Sequence, residues 1–123
     1  VYVASEWSYN THGVTGVRIN GGTVTNANTN PATVHGAILL YAGNAGTRLN
    51  DVTVTNLTVR NTPVTAGRIF GMITENGGAF SNIVFSNLTL QQASPLAAWY
   101  ANAPASSYRL ISILLNGAPV NGL

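Results

Sequence analysis

A nine-residue phrase occurs twice in this chain, as DVTVTNLTV at Asp51–Val59 and as NIVFSNLTL at Asn82–Leu90. A duplicated phrase restricts the fold more than any single element does, because internal repeats fix architecture. In register, Val52, Val54, Leu57 and Val59 align with Ile83, Phe85, Leu88 and Leu90. Period-two alternation puts these side chains on one face of a strand and Thr53, Thr58, Val84 and Thr89 on the other. The alternation changes phase at Asn56 and Asn87. Asparagine accepts the left-handed backbone conformation at low cost, so both are predicted to be corners between two short strands.

Two weaker copies flank the pair. GVRINGGTV (Gly16–Val24) has Gly21 where the corner Asn would stand. LISILLNGAPV (Leu110–Val120) keeps the apolar run but has its Asn116 displaced by one residue, and Pro119 weakens its second strand. A third strand lies between copies: GAILLYA (Gly36–Ala42), GRIFGMIT (Gly67–Thr74), LAAWYA (Leu96–Ala101) and, before the first copy, VYVASEW (Val1–Trp7). Helical periodicity is too sparse for a βαβ unit. The expectation is an all-β chain, a right-handed single-stranded parallel β-helix of about four coils of three short strands, with stacked aliphatics and a ladder of corner amides. The competing architecture is an antiparallel β-sandwich, which also has many short strands and turns.

Residues 1–123 read as one unit of such a stack. Neither VYVAS nor LLNGAPVNGL resembles a polar cap, and open ends are edge strands that aggregate unless covered. The segment is therefore expected to belong to a longer chain, with the remainder of the parent or other subunits covering its ends.

Charged residues make up 7% of the chain, against roughly a quarter in ordinary soluble domains. There is no lysine, and Arg18, Arg48, Arg60, Arg68 and Arg109 are scattered singly. No basic tract of the kind that binds phosphate exists, so nucleic acid is not an expected partner. No apolar run approaches the roughly eighteen residues of a membrane span, so no membrane partner is expected either. Cysteine is absent, which excludes disulfides and thiolate metal sites.

DVTVTNLTVRN and NIVFSNLTLQQ, each followed by a loop and an apolar strand, resemble the pectate-lyase-like superfamily of right-handed β-helices. The pattern runs from Gly16 to about Leu115. It is specific for fold and poorly specific for chemistry, since the superfamily includes pectate lyases, polygalacturonases, dextranases, α-1,3-glucanases, alginate epimerases and phage tailspikes. The resemblance implies a secreted, extracellular protein whose partner is polysaccharide. The neutral, lysine-free, Asn/Thr-rich surface is nearest in character to the dextranase and α-1,3-glucanase type of glycoside hydrolase. The paired aspartates common in the hydrolases have no counterpart, because Asp51 is the only Asp. Two other readings stand beside this one: a non-catalytic structural or adhesive shaft of the tailspike kind, and a polysaccharide lyase.

Glycoside hydrolysis usually needs two carboxyl groups flanking the bond, and Glu6 and Glu75 are the candidates. Both follow the same class of strand, but their offset along it places them about 14 Å apart, beyond the usual separations. Trp7, Tyr9 and His12 follow Glu6 closely, and Tyr41, Trp99 and Tyr100 come from later coils. On one outward face these six would form an aromatic strip suited to the apolar faces of sugar rings, with hydrogen-bonding groups at its rim. His12 and His35 lack a carboxylate at ligand spacing, so no metal site is expected. No cofactor is expected; calcium is the one ion that loop carbonyls and Asp51 beside Asn50 could hold. The two NLT triplets match a glycosylation acceptor, but their Asn residues are read as structural corners.

Overall fold

The computed structural model describes residues 1–5, 12–27, 35–61, 68–93 and 99–120. These form β1 (Tyr2–Ser5), β2 (Val14–Asn20), β3 (Thr23–Thr25), β4 (Gly36–Ala42), β5 (Arg48–Thr55), β6 (Thr58–Asn61), β7 (Arg68–Thr74), β8 (Ala79–Gln92), β9 (Trp99–Ala101), β10 (Tyr108–Leu115) and β11 (Ala118–Pro119). A single turn of 3-10 helix, Ala105–Ser107, precedes β10.

The repeated phrase stacks on itself in parallel. Val52 pairs with Ile83 and Val54 with Phe85, and the first copy continues the same rows, Val17 with Val52 and Ile19 with Val54. Matching residues line up because each strand must present the same inward shape to its neighbour about 4.8 Å away. The inward rows are closed to solvent: Val52, Val54, Val59, Ile83, Phe85 and Leu90 are each 0% exposed. Burying such a side chain stabilises by about 1.5–3 kcal/mol.

The positions at which the alternation changes phase are left-handed, as the sequence predicts, with φ of 57° at Asn56 and 51° at Asn87. A second set lies five residues earlier in the first three copies, at Gly16 (74°), Asp51 (55°) and Asn82 (52°), in one row. The corner row itself runs Gly21 (80°), Asn56, Asn87 and Ser112 (52°). Side chains ladder along it. The Asn56 amide donates to Asn20 Oδ1 at 2.7 Å, and the Asn87 amide donates in turn to Asn56 Oδ1.

The expected closed β-helix is corrected by the sheet layout. Among the described residues the strands form two sheets and no closed solenoid. One has four parallel strands in the order β1-β4-β7-β9; the other is a mixed seven-stranded sheet in the order β11-β10-β8-β5-β2, with β3 beside β6 and β6 beside β8. The reason lies at the corners. A left-handed Asn was expected to divide the phrase into two strands on different sides, but Asn87 only bends β8, which runs unbroken for 14 residues. Both halves of the phrase therefore stay in one sheet.

The fourth copy departs further. Asn116 does not take the corner position, which falls on Ser112. Instead Asn116 (φ 50°) and Gly117 (φ 83°) reverse the chain, and β11 pairs antiparallel with β10 through Leu114–Pro119 and Leu115–Ala118. An all-antiparallel sandwich is equally absent, since β10–β11 is the one antiparallel pairing among the described strands. The parts of the expected third strands at Glu6–Trp7, Gly67 and Leu96–Ala98 lie outside the described residues.

The core lies between the sheets. The Phe70 ring, from β7, stacks on Phe85, from β8, with centroids 4.6 Å apart and planes 13° apart. Trp99, from β9, stacks on Phe70 in turn at 5.5 Å and 10°. Gly36 admits this packing, because a Cβ there would fall on the Phe70–Gly71 backbone.

Candidate functional site

Parity within the four-stranded sheet decides which side chains leave the core. Phe70 faces Phe85, so its row, Ile38–Phe70–Trp99, is inward. The next row along, Tyr2–Leu39–Gly71–Tyr100, crosses all four strands on the outer face. The following outer row is Ala4–Tyr41–Ile73. The outer face is not uniformly open: Ala37, Ile69 and Ile73 are each buried to 5% exposure or less. What remains accessible is a strip of Tyr2, Leu39, Tyr41 and Tyr100, with Tyr2 53% exposed. Three strand spacings place Tyr2 and Tyr100 about 14 Å apart.

Glu75 extends the same outer parity beyond β7. Its backbone N–H donates to Ala42 O at 2.9 Å, and Gly78 N–H closes a turn onto Glu75 O at 2.8 Å. Asn76 (φ 50°) and Gly77 (φ 80°) supply the two left-handed residues of that turn, and Asn76 Nδ2 donates to Gly43 O. Held there, the exposed Glu75 carboxylate accepts the Tyr41 hydroxyl at 2.7 Å. Gly43 makes room for the Tyr41 ring, which a Cβ at that position would strike. At the other end of the strip the Arg68 guanidinium lies over the Tyr100 ring, 5.7 Å from its centroid, while Nη1 donates to Trp99 O at 3.0 Å. The result is aromatic surface flanked by one anion and one cation.

Of the sequence candidates, Tyr41, Tyr100 and Glu75 fall on this face. Trp99 is turned the opposite way and stacks on Phe70. Exposed His12 lies beyond the end of β1, where its carbonyl accepts the hydroxyl of the fully buried Ser5. Glu6, Trp7 and Tyr9 lie outside the described residues. Asp51 sits in the other sheet, where Oδ2 takes Arg18 Nη2 at 2.7 Å and Oδ1 takes the Asn82 amide at 3.2 Å. Among the described residues Glu75 is thus the single carboxylate on the strip, and no group of three or more His, Cys, Asp or Glu is placed to hold a metal ion. No helix among them is long and apolar enough to cross a membrane.

Sequence reasoning missed Tyr2 and Arg68. The alternation of VYVAS carried the signal for Tyr2: Val3 and Ser5 point inward, which sends Tyr2 outward. Comparison with protein-family models, curated proteins and solved structures finds no match for this chain.

Proposed function

We propose that the outer face of the four-stranded sheet binds polysaccharide, and that the chain supplies scaffold and substrate groove to a secreted glycoside hydrolase acting on a glucan-type polymer. The observation that carries this reading is the strip Tyr2–Tyr41–Tyr100, with Glu75 and Arg68 at its margins. Flat aromatic rings match the C–H faces of sugars, and the flanking polar groups suit their hydroxyl rims. A second reading, binding without catalysis, is favoured by a specific feature: one carboxylate stands on the strip, and glycoside hydrolysis usually uses two.

Pull-down on insoluble α-glucan tests the surface. Tyr41→Ala and Tyr100→Ala should each weaken retention about fivefold to tenfold while leaving the circular dichroism spectrum unchanged. Undiminished retention in both variants would remove the strip from consideration. Release of reducing ends by the wild type, lost in Glu75→Gln, would favour the hydrolase. Binding without release would favour the second reading.

A further inference from the structure

The outer face of the seven-stranded sheet gathers most of the chain's cations. Val17 and Ile19 line up with the fully buried Val52 and Val54, so Arg18 between them points outward. Val59 is fully buried, so Arg60 beside it points outward as well. Arg109 shares the outer row Arg18–Thr53–Val84–Arg109, and Arg48 opens β5. All four arginines are exposed. Asp51, paired with Arg18, is the one acidic residue of this sheet among the described residues. The face therefore holds a surplus of three positive charges, more than the +2 of the whole chain. The fifth arginine, Arg68, belongs to the four-stranded sheet and is turned to Trp99 O and the Tyr100 ring.

We propose that this face binds a sulfated polysaccharide, at a site separate from the aromatic strip and independent of the reading given to it. Charge complementarity calls for a polyanion, and the spacing of the arginines selects its kind. Arg18 and Arg109 lie three strands apart in their row, about 14 Å. Hydroxyls and amides fill the intervals: Thr53 in the same row, then the outer rows Asn20–Thr55–Ser86 and Thr23–Thr58–Thr89. A chain whose oxyanions are interspersed with sugar hydroxyls matches that alternation.

Other polyanions match it less well. Duplex DNA carries one charge per about 1.7 Å of its axis and is met by clustered cations, whereas these stand singly. An anionic membrane favours apolar side chains that can enter it beside the cations. Ile111 and Leu114 are the exposed large apolar residues of this sheet, and both stand on β10. A polyuronate differs from a sulfated chain in its anion. All four cations are guanidinium groups, which are more weakly hydrated than ammonium and present a planar fork. A sulfate ester is likewise a weakly hydrated oxyanion, and its oxygens can accept both arms of the fork.

The probe is a sulfated galactan, whose backbone is not the glucan assigned to the strip, titrated into the intact chain by calorimetry. Desulfating the polymer should weaken binding about tenfold or more, and so should raising salt from about 50 mM to about 200 mM, since exposed charges are screened. Arg60→Gln with Arg109→Gln, and separately Arg18→Gln with Arg48→Gln, should each weaken it about tenfold. The first pair lies outside the Arg18–Asp51 contact, so it reports even where the second loosens the fold. Asp51→Asn should tighten binding about twofold by removing the carboxylate from the face. Saturating neutral α-glucan should leave it intact, which separates this site from the strip. Equal binding of the desulfated polymer, of polygalacturonate, of duplex DNA or of phosphatidylserine vesicles would overturn the proposal. So would full affinity in the Arg60→Gln, Arg109→Gln variant, or displacement by α-glucan.

Discussion

Replacing Asn56 by alanine removes two contributions that can be separated. The first is conformational: with φ of 57° the residue is left-handed, which costs a Cβ-bearing residue about 1–2 kcal/mol and asparagine much less. The second is the amide ladder, in which Asn56 donates to Asn20 and accepts from Asn87. Each bond contributes about 0.5–1.5 kcal/mol net, and the exposed position puts these at about 0.5 each. Asn56→Ala should therefore destabilise by about 2–3 kcal/mol. Asn56→Gly loses the same hydrogen bonds and raises the entropy of the unfolded chain but carries no left-handed penalty, so about 1.5 kcal/mol is expected. Urea unfolding monitored by circular dichroism resolves the difference, since about 1 kcal/mol moves the midpoint by roughly half a molar at the slopes usual for small domains. A double-mutant cycle with Asn87→Ala should show a coupling of about 0.5 kcal/mol, because each substitution removes the same bond. Alanine tolerated as well as glycine would refute the conformational argument, and zero coupling would refute the ladder.

Other substitutions probe neighbouring features by the same unfolding assay. Ser112→Asn should stabilise by about 1 kcal/mol, because it eases a left-handed serine and extends the ladder toward Asn87; an unchanged midpoint would count against this. Asp51→Asn should cost less than about 1 kcal/mol, since the ion pair with Arg18 is exposed, whereas Asp51→Val should cost more because its φ is 55°. Phe85→Ala should cost about 3–5 kcal/mol through the lost stack on Phe70, a loss also visible as reduced near-ultraviolet ellipticity. Trp99→Ala should lower stability without weakening polysaccharide retention, because its ring serves the core.

Local pattern was readable where one residue decides one geometry. Alternation in DVTVTNLTV placed Val52 and Val54 in the core and set their rows against Ile83 and Phe85. The phase change located the left-handed asparagines. How the bent strands join into sheets was not readable, because a left-handed residue looks the same in sequence whether it turns a corner or merely bends a continuous strand, as Asn87 does. Asn116 misled for a related reason. It resembled a displaced corner, yet Gly117 beside it allows two successive left-handed residues and hence a hairpin. At the candidate site, Tyr41 and Tyr100 could be named from composition, but Trp99 could not be told from them. Its parity depends on pairing with Phe70, and no periodicity within the short LAAWYA run reveals it.

The constant interval between the two bends of the first three copies has a consequence for how the chain can vary. Matching positions lie 35 residues apart from Val17 to Val52, 31 from Val52 to Ile83 and 25 from Ile83 to Tyr108. The five-step interval holds in the first three copies regardless. Length is thus free between strands and fixed within them. A foreign loop spliced into a connection leaves every neighbouring strand in phase, whereas one residue gained or lost between Asp51 and Asn56 would set the whole face against its neighbours on both sides.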